Sequence, residues 1–455
     1  MSRTPPPQAP SSPFRQPENR IVRKILRLQA LLLFSAFSTG AGASPQVETH
    51  WSGRLYTDQY LFTRGADAGS IQQSSVSGWL DFDAQSEGGF GARAIAQGDA
   101  FIKSILEPSR PEYRVRFREA YASYLGAGLE IRAGQQIIPW GKSDGVNPTD
   151  YFSAKDYTLL NPDDEVRRLG AMAASISFTP NGGESPLNFQ LVIQGTYPRT
   201  RLLIPSSAIP AGVAFQREAD ASGLFSKNSL EAGARISFLK PSFDFSISAF
   251  SGFSHAPQYR VEFLPGGPGG TTPAVRAFHA PQTSVGADGS FTFESWIFRL
   301  ESALHMPANG TSADPLFGLV QPWHWDSVIG AERPIFTDFR AQVQFLYRWH
   351  PYFTAPVSSI GQANALILNY QRRSNPGATF RLAYAPETSD FSADVFLIGY
   401  FSQGEDYLLR PQVSYTPVTN LKLSAGVDWY GGNSNRPLGA LRDRSDAFFE
   451  ARWLF

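Results

Sequence analysis

The chain has 455 residues with 40 basic and 40 acidic side chains, a balance that gives no reason to expect a nucleic-acid footprint or a polybasic membrane tether. It contains no cysteine, which excludes disulfides, thiolate metal sites and cysteine nucleophiles together and suits a polypeptide that crosses an oxidising periplasm unfolded. Aromatic residues make up 13%, with 35 Phe, 17 Tyr and 9 Trp against 3 Met. Aromatic enrichment without long apolar runs fits strands that show one side to lipid, because their apolar residues fall at every second position.

The first element is a secretory signal. Arg20, Arg23, Lys24 and Arg27 precede the apolar run Leu28 to Phe37, and Ala41-Gly42-Ala43 then offers a small-residue exit, so cleavage is expected after Ala43. A bilayer-spanning helix needs roughly 20 apolar residues, about twice this run, so a retained anchor is not expected. The Pro-rich stretch upstream reads as a misassigned start, with the natural one near Val22. Residues 44–455 then form a single domain, with no plug-sized domain ahead of Trp51.

Beyond Ser44 the chain alternates. Phe243, Phe245, Ile247 and Ala249 interleave with Asp244, Ser246 and Ser248, and Phe339, Ala341, Val343, Phe345, Tyr347 and Trp349 interleave with Arg340, Gln342, Gln344 and Arg348. Leu421 to Trp429 repeats the pattern. Successive strand side chains point to opposite faces, so each segment has one apolar and one polar wall. Strands are predicted at 47–62, 75–85, 89–100, 113–125, 128–138, 168–179, 186–196, 230–239 and 242–252. They continue at 278–287, 291–304, 323–333, 338–349, 377–385, 390–401, 406–416, 420–430 and 446–455.

Tight turns, such as those at 86–89, 126–128, 240–242, 288–289, 386–390 and 417–420, alternate with long connections at 139–167, 197–228 and 254–277. Short periplasmic turns alternating with long external loops mark a transmembrane antiparallel up-and-down β-barrel, all-β, of about 18 strands with 16 the alternative. With both termini periplasmic, 351–377 is an external loop, and Ile360, Ala363, Leu366, Ile367 and Tyr370 at helical spacing predict a short helix in it. Gly266 to Gly270 is a loop tip.

The densest polar and aromatic segment is the third external loop, residues 139–167. The runs Arg118-Glu119-Ala120-Tyr121 and Gly134-Gln135-Gln136, the loop motif Trp140-Gly141-Lys142-Ser143-Asp144-Gly145-Val146-Asn147-Pro148-Thr149-Asp150, and the tail from Gly439 to Phe455 resemble a porin-like family of bacterial outer-membrane proteins. The resemblance spans most of the mature chain and implies a barrel with a transport role. It is similar to general porins in architecture, in which the third loop folds inward. That likeness implies that Lys142, Asp144, Asp150, Lys155, Asp156, Arg167 and Arg168 set a transverse field at a constriction shaped by Trp140 and Tyr157. The other reading is a structural loop whose charges pair with each other or with the barrel rim.

Arg114, Arg116 and Arg118 stand at spacing two with Val115 and Phe117 between them. Arginine on the lipid face near the midplane costs roughly 2–4 kcal/mol, so the three should line the lumen. There they would form an anion-attracting stripe or pair with carboxylates. Continuing the register would put Glu119 on lipid, so either Glu119 lies at the membrane interface or a bulge reverses the phase after Phe117. The last strand carries Phe449, Ala451, Trp453 and Phe455 on one face and resembles the C-terminal recognition strand read by the barrel-assembly machinery, with Trp453 and Phe455 as its signal.

The six histidines show no ligand spacing along the chain, and there is no nucleophile elbow or P-loop, so neither enzyme, metal nor cofactor is expected. Arg93, Gln97, Asp99, Asp244, Arg299, Glu301, Arg340, Gln344, Arg381, Asp394, Arg410 and Asp428 should face inward, a polar wall that suits an outer-membrane channel for small solutes, favouring anions. The alternatives are an exporter component for hydrophobic or polymeric cargo with periplasmic or inner-membrane partners, and a structural or adhesive surface barrel. Expected partners are outer-membrane lipid, lipopolysaccharide and the assembly machinery.

Overall fold

The structure is a computed structural model that describes residues 46–105, 110–196, 198–202, 214–216, 229–265, 271–308, 323–401, 404 and 406–455. The signal segment and the Gly266–Gly270 tip lie outside the described residues.

Eighteen strands form one antiparallel sheet in which each pairs with its neighbour along the chain. They are β1 Val47–Phe62, β2 Ile71–Ser86, β3 Phe90–Lys103, β4 Glu112–Gly126, β5 Leu129–Gln136, β6 Ala171–Phe178, β7 Leu187–Gln194, β8 Glu231–Lys240 and β9 Phe243–Phe253. The second half is β10 Pro281–Phe293, β11 Trp296–Pro307, β12 His324–Phe336, β13 Phe339–Trp349, β14 Ser374–Tyr384, β15 Phe391–Tyr400, β16 Asp406–Val418, β17 Leu421–Gly432 and β18 Asp446–Leu454. β1 pairs with β2 on one side and with β18 on the other, Arg54 opposite Leu454 and Phe62 opposite Asp446, so the sheet closes and leaves no edge.

The alternation sorts the two faces. On β10 to β13, Ile329 is 57% exposed, Leu300 53% and Val343 51%, while Glu301, Asp288 and Gln344 on the opposite face are 0–1% exposed. An apolar belt of this extent facing water would be an association surface; on a closed barrel it is the lipid face. Paired rings stand beside the short turns, Phe90 with Tyr124 at 5.0 Å, Phe339 with Tyr384 at 4.7 Å and Phe391 with Tyr415 at 4.5 Å. They form the aromatic girdle of one membrane interface. Trp453 and Phe455 lie outward on the same rim, where the Phe455 backbone exchanges hydrogen bonds with Gly53.

Two local expectations change. Asp288-Gly289 is not a turn: β10 runs through it to Phe293, and the chain reverses at Glu294, whose φ is 51°. The turn signal yields because Asp288 faces inward and is held by Arg235 at 2.7 Å, which keeps the strand in register. The segment 254–277 is not all loop either. Gln258–Pro265 and Thr271–Phe278 form a hairpin, joined in parallel by Ala214–Gln216. The helix expected in the 351–377 loop runs Ser359–Ile367, capped by Ser358, which accepts from the Gly361 N–H at 3.0 Å. Its Asn364 binds both the N–H and the carbonyl of Tyr259 at 2.7 Å, knitting helix to hairpin.

Candidate functional site: the strapped loop and the polar lumen

A bulge in β4 decides where its arginines go. Ile95 pairs with Glu119 and Ala96 with Phe117, so Arg118 is the extra residue and the phase reverses there. Of the two alternatives, the bulge holds, and Glu119 faces inward to accept the Ile137 N–H at 3.0 Å. All three arginines point into the lumen, but an open basic stripe is not what they form. Arg114 bonds Glu112 at 2.7 Å and approaches Asp156 at 3.6 Å, and Arg116 lies 3.9 Å from Asp99. Arg118 is 2% exposed and donates to Gln97 at 3.3 Å and to the carbonyls of Glu165 and Val166 at 2.5 and 3.3 Å. Trp79 lies between the guanidinium groups of Arg54 at 3.5 Å and Arg118 at 3.9 Å, so cation–π attraction adds to the hydrogen bonds. The cluster fastens the loop between β5 and β6 to the wall.

That loop lies against inward-facing residues of strands far from its own. The Glu301 carboxylate on β11 accepts the N–H of Lys142, of Ser143 at 2.5 Å and of Thr149 at 3.4 Å, together with the Thr149 hydroxyl at 3.2 Å. Lys142 pairs through its ammonium with Asp244 on β9, and Asp144 accepts from Gln342 on β13 at 2.7 Å. The motif from Gly141 to Thr149 is thus wrapped around one buried carboxylate, satisfying backbone donors that a loop inside a barrel would otherwise leave unpaired.

Just beyond it, Trp140, Tyr151 and Phe152 pack with Val192, Phe250 and Ala303 of the wall. Trp140 is 2% exposed and donates its indole N–H to Gln190 at 2.9 Å, so it does not shape the opening as expected; it anchors the loop. Gly286 provides a seat for this cluster: a Cβ there would lie 2.4 Å from the Tyr151 hydroxyl and 2.9 Å from Thr149. The other end of the loop crosses to the strands around the closure. Asn161 bonds Glu450 at 2.5 Å, Asp163 meets Arg452 at 3.1 Å and Glu165 meets Arg54 at 2.7 Å.

The remaining loop charges pair locally. Arg168 binds Asp150 at 2.8 Å and Asp164 at 3.0 Å, Lys155 binds Asp164 at 2.8 Å, Asp156 meets Arg201 at 3.1 Å, and Arg167 donates to the Leu159 and Leu160 carbonyls at 3.3 and 3.4 Å. Burial alone would raise the Asp164 pKa, but Lys155 and Arg168 outweigh it and hold the carboxyl below its ordinary range.

The lumen wall elsewhere carries cross-strand ion pairs, Arg93–Asp81 at 2.7 Å, Arg299–Glu332 at 2.7 Å, Arg381–Asp394 at 2.7 Å and Arg410–Asp428. Beside the loop, a cavity of about 480 Å³ is bounded by Asn147, Tyr151, His305, His324, Asp326 and Arg348 among others. The histidines that lack ligand spacing along the chain are neighbours here, because β11 and β12 place His305 opposite His324. Glu301 was legible only as an inward residue; no sequence period marks it as the loop's anchor.

A closed 18-stranded barrel with an apolar outer belt, an aromatic girdle and a charged lumen crossed by its third external loop has the architecture of an outer-membrane β-barrel of a Gram-negative cell. No protein-family model matches this sequence, and no curated protein does. Among solved structures, the barrel is similar to *Pseudomonas aeruginosa* OccK5 (OpdH), with a TM-score of 0.52 at 8% identity over 90% of this chain and 98% of that one. It is likewise similar to *Pseudomonas aeruginosa* OccK2 (OpdF) in complex with glucuronate, TM-score 0.51 at 10% identity over 90% and 98%. A BenF-like porin from *Pseudomonas fluorescens* follows at 0.50 and 11%, over 90% and 98%. At these identities the likeness carries the fold alone.

Proposed function

We propose that this protein is a channel for small solutes, with the 139–167 loop narrowing the passage and anions favoured over cations. The observation that carries the reading is the polar, ion-paired inner wall crossed by a loop pinned on both sides; a structural barrel has no need of either. The anion preference rests less on Arg114, Arg116 and Arg118, which are paired with Glu112, Asp99 and the loop carbonyls, than on the wall pairs. In these the guanidinium is the more exposed partner, Arg340 at 66% against 11% for Glu332 and Arg381 at 50% against 24% for Asp394. Fixed, accessible arginines bias a wet lumen toward carboxylates and other small anions. Lipopolysaccharide on the outer belt and delivery by the assembly machinery through the Trp453–Phe455 strand complete the reading.

The experiment is single-channel recording of refolded protein in planar bilayers, with selectivity read from the reversal potential across a salt gradient. Open steps with anion preference, reduced in Arg340→Ala/Arg381→Ala, are expected. Silence from protein that still shows heat-modifiable migration overturns the channel, and cation preference overturns the role of the arginines.

A further inference from the structure

We propose that His305, His324 and Asp326 form a binding site for a divalent transition-metal ion of the zinc class on the wall of the cavity beside the loop. The three come from adjacent strands: His305 on β11 lies opposite His324 on β12, and Asp326 follows on the same inward face. One ligand atom from each lies within 4.8 Å of the others. The Asp326 Oδ2 is 4.0 Å from His305 Nε2 and 3.9 Å from His324 Nε2, beyond hydrogen-bond reach of both, so three donors converge without bonding one another. Zinc binds imidazole nitrogen at about 2.0–2.1 Å and carboxylate oxygen at about 2.0–2.2 Å, which puts tetrahedral ligand atoms about 3.4 Å apart. Each contact to Asp326 needs to close by only about half an ångström.

The surroundings orient these groups as a metal site requires. The Ser284 hydroxyl, 2.9 Å from His305 Nδ1, accepts the Nδ1–H and so leaves the Nε2 lone pair turned toward the cluster, while Gln282 Nε2 donates to the same hydroxyl at 3.0 Å. Tyr151 of the loop meets the His305 ring edge-on at 6.0 Å. Asp326 is fixed by Arg348, Nε to Oδ1 at 2.6 Å and Nη2 to Oδ2 at 2.5 Å, and the imidazoles of His305 and His324 stack at 4.7 Å. All three residues are buried and border the 480 Å³ cavity. Two imidazoles and one carboxylate select zinc, nickel or copper(II) over calcium and magnesium, which require oxygen donors. Three protein ligands leave one position open toward the cavity for water or a solute carboxylate.

The test is calorimetric titration of Zn²⁺ into the full folded chain in detergent, with heat-modifiable migration as the fold control and Co²⁺ absorption as the report on ligand geometry. One ion per chain is expected, with visible Co²⁺ bands, and both are lost in His305→Ala/His324→Ala. Ser284→Ala, which removes only the outer support, weakens binding by about 10–100-fold. His50→Ala, on the strand end near the opposite rim, changes nothing. Undiminished zinc uptake by the double histidine variant, or none by the wild type up to millimolar zinc, overturns the site.

Discussion

Replacing Glu301 with alanine should release the tip of the third loop from the wall. The side chain is fully buried and takes five hydrogen bonds from Lys142, Ser143, Asn147 and Thr149, three of them from backbone N–H groups. A hydrogen bond to a buried charged acceptor contributes about 1.5–3 kcal/mol, but the contributions do not add, and truncating one side of a buried polar network costs about 3–5 kcal/mol. Since about 1.4 kcal/mol is a factor of ten, the ratio of attached to detached loop falls about a hundred- to several-thousand-fold. Trp140, Tyr151 and Phe152 and the far contacts with Arg54, Glu450 and Arg452 still hold the ends, so the barrel itself remains folded. The assay is single-channel conductance of Glu301→Ala against wild type, with trypsin cleavage after Lys142 as a second report on loop release. Larger or flickering steps and faster cleavage are expected; heat-modifiable protein with wild-type conductance and cleavage refutes the assignment of Glu301 as the anchor.

Gly286→Val attacks the same attachment from the wall. Its new side chain occupies the seat of Tyr151 and Thr149, so conductance should again rise, while a variant indistinguishable from wild type would mean that the ring cluster shifts without moving the loop. Acid tests the local ion pairs. Because the Asp164 carboxyl titrates below its ordinary value, the stabilisation it confers is complete above about pH 4 and is lost as pH falls through its lowered pKa. Wild type and Asp164→Asn should therefore differ in melting temperature at neutral pH and converge in strong acid; a difference independent of pH would deny the carboxylate that role.

The strands were legible because their code is local. Side-chain period two and the alternation of short and long connections depend on each strand's two faces and not on its partner, so Phe243 to Phe253 or Phe339 to Trp349 could be read without knowing what lies beside them. The Arg114–Arg116–Arg118 run even carried the conflict that the bulge resolves, since Glu119 could not continue the phase. Where local signals misled, a cross-strand contact prevailed: Asp288-Gly289 has turn composition, yet Arg235 on β8 holds Asp288 within a strand.

Amphipathic alternation and loop lengths determined from sequence alone that this chain is a transmembrane barrel of about 18 strands, with 16 the alternative, and a charged third loop; closure fixed the number at 18. Only the tertiary structure decided that Glu301 anchors residue 142 from 159 positions away, that Arg118 fastens the loop's far end, and that His305 faces His324. A barrel's register brings together residues separated by whole hairpins, and hydrogen bonds across a lumen obey no sequence period. Their geometry exists only once the sheet has closed.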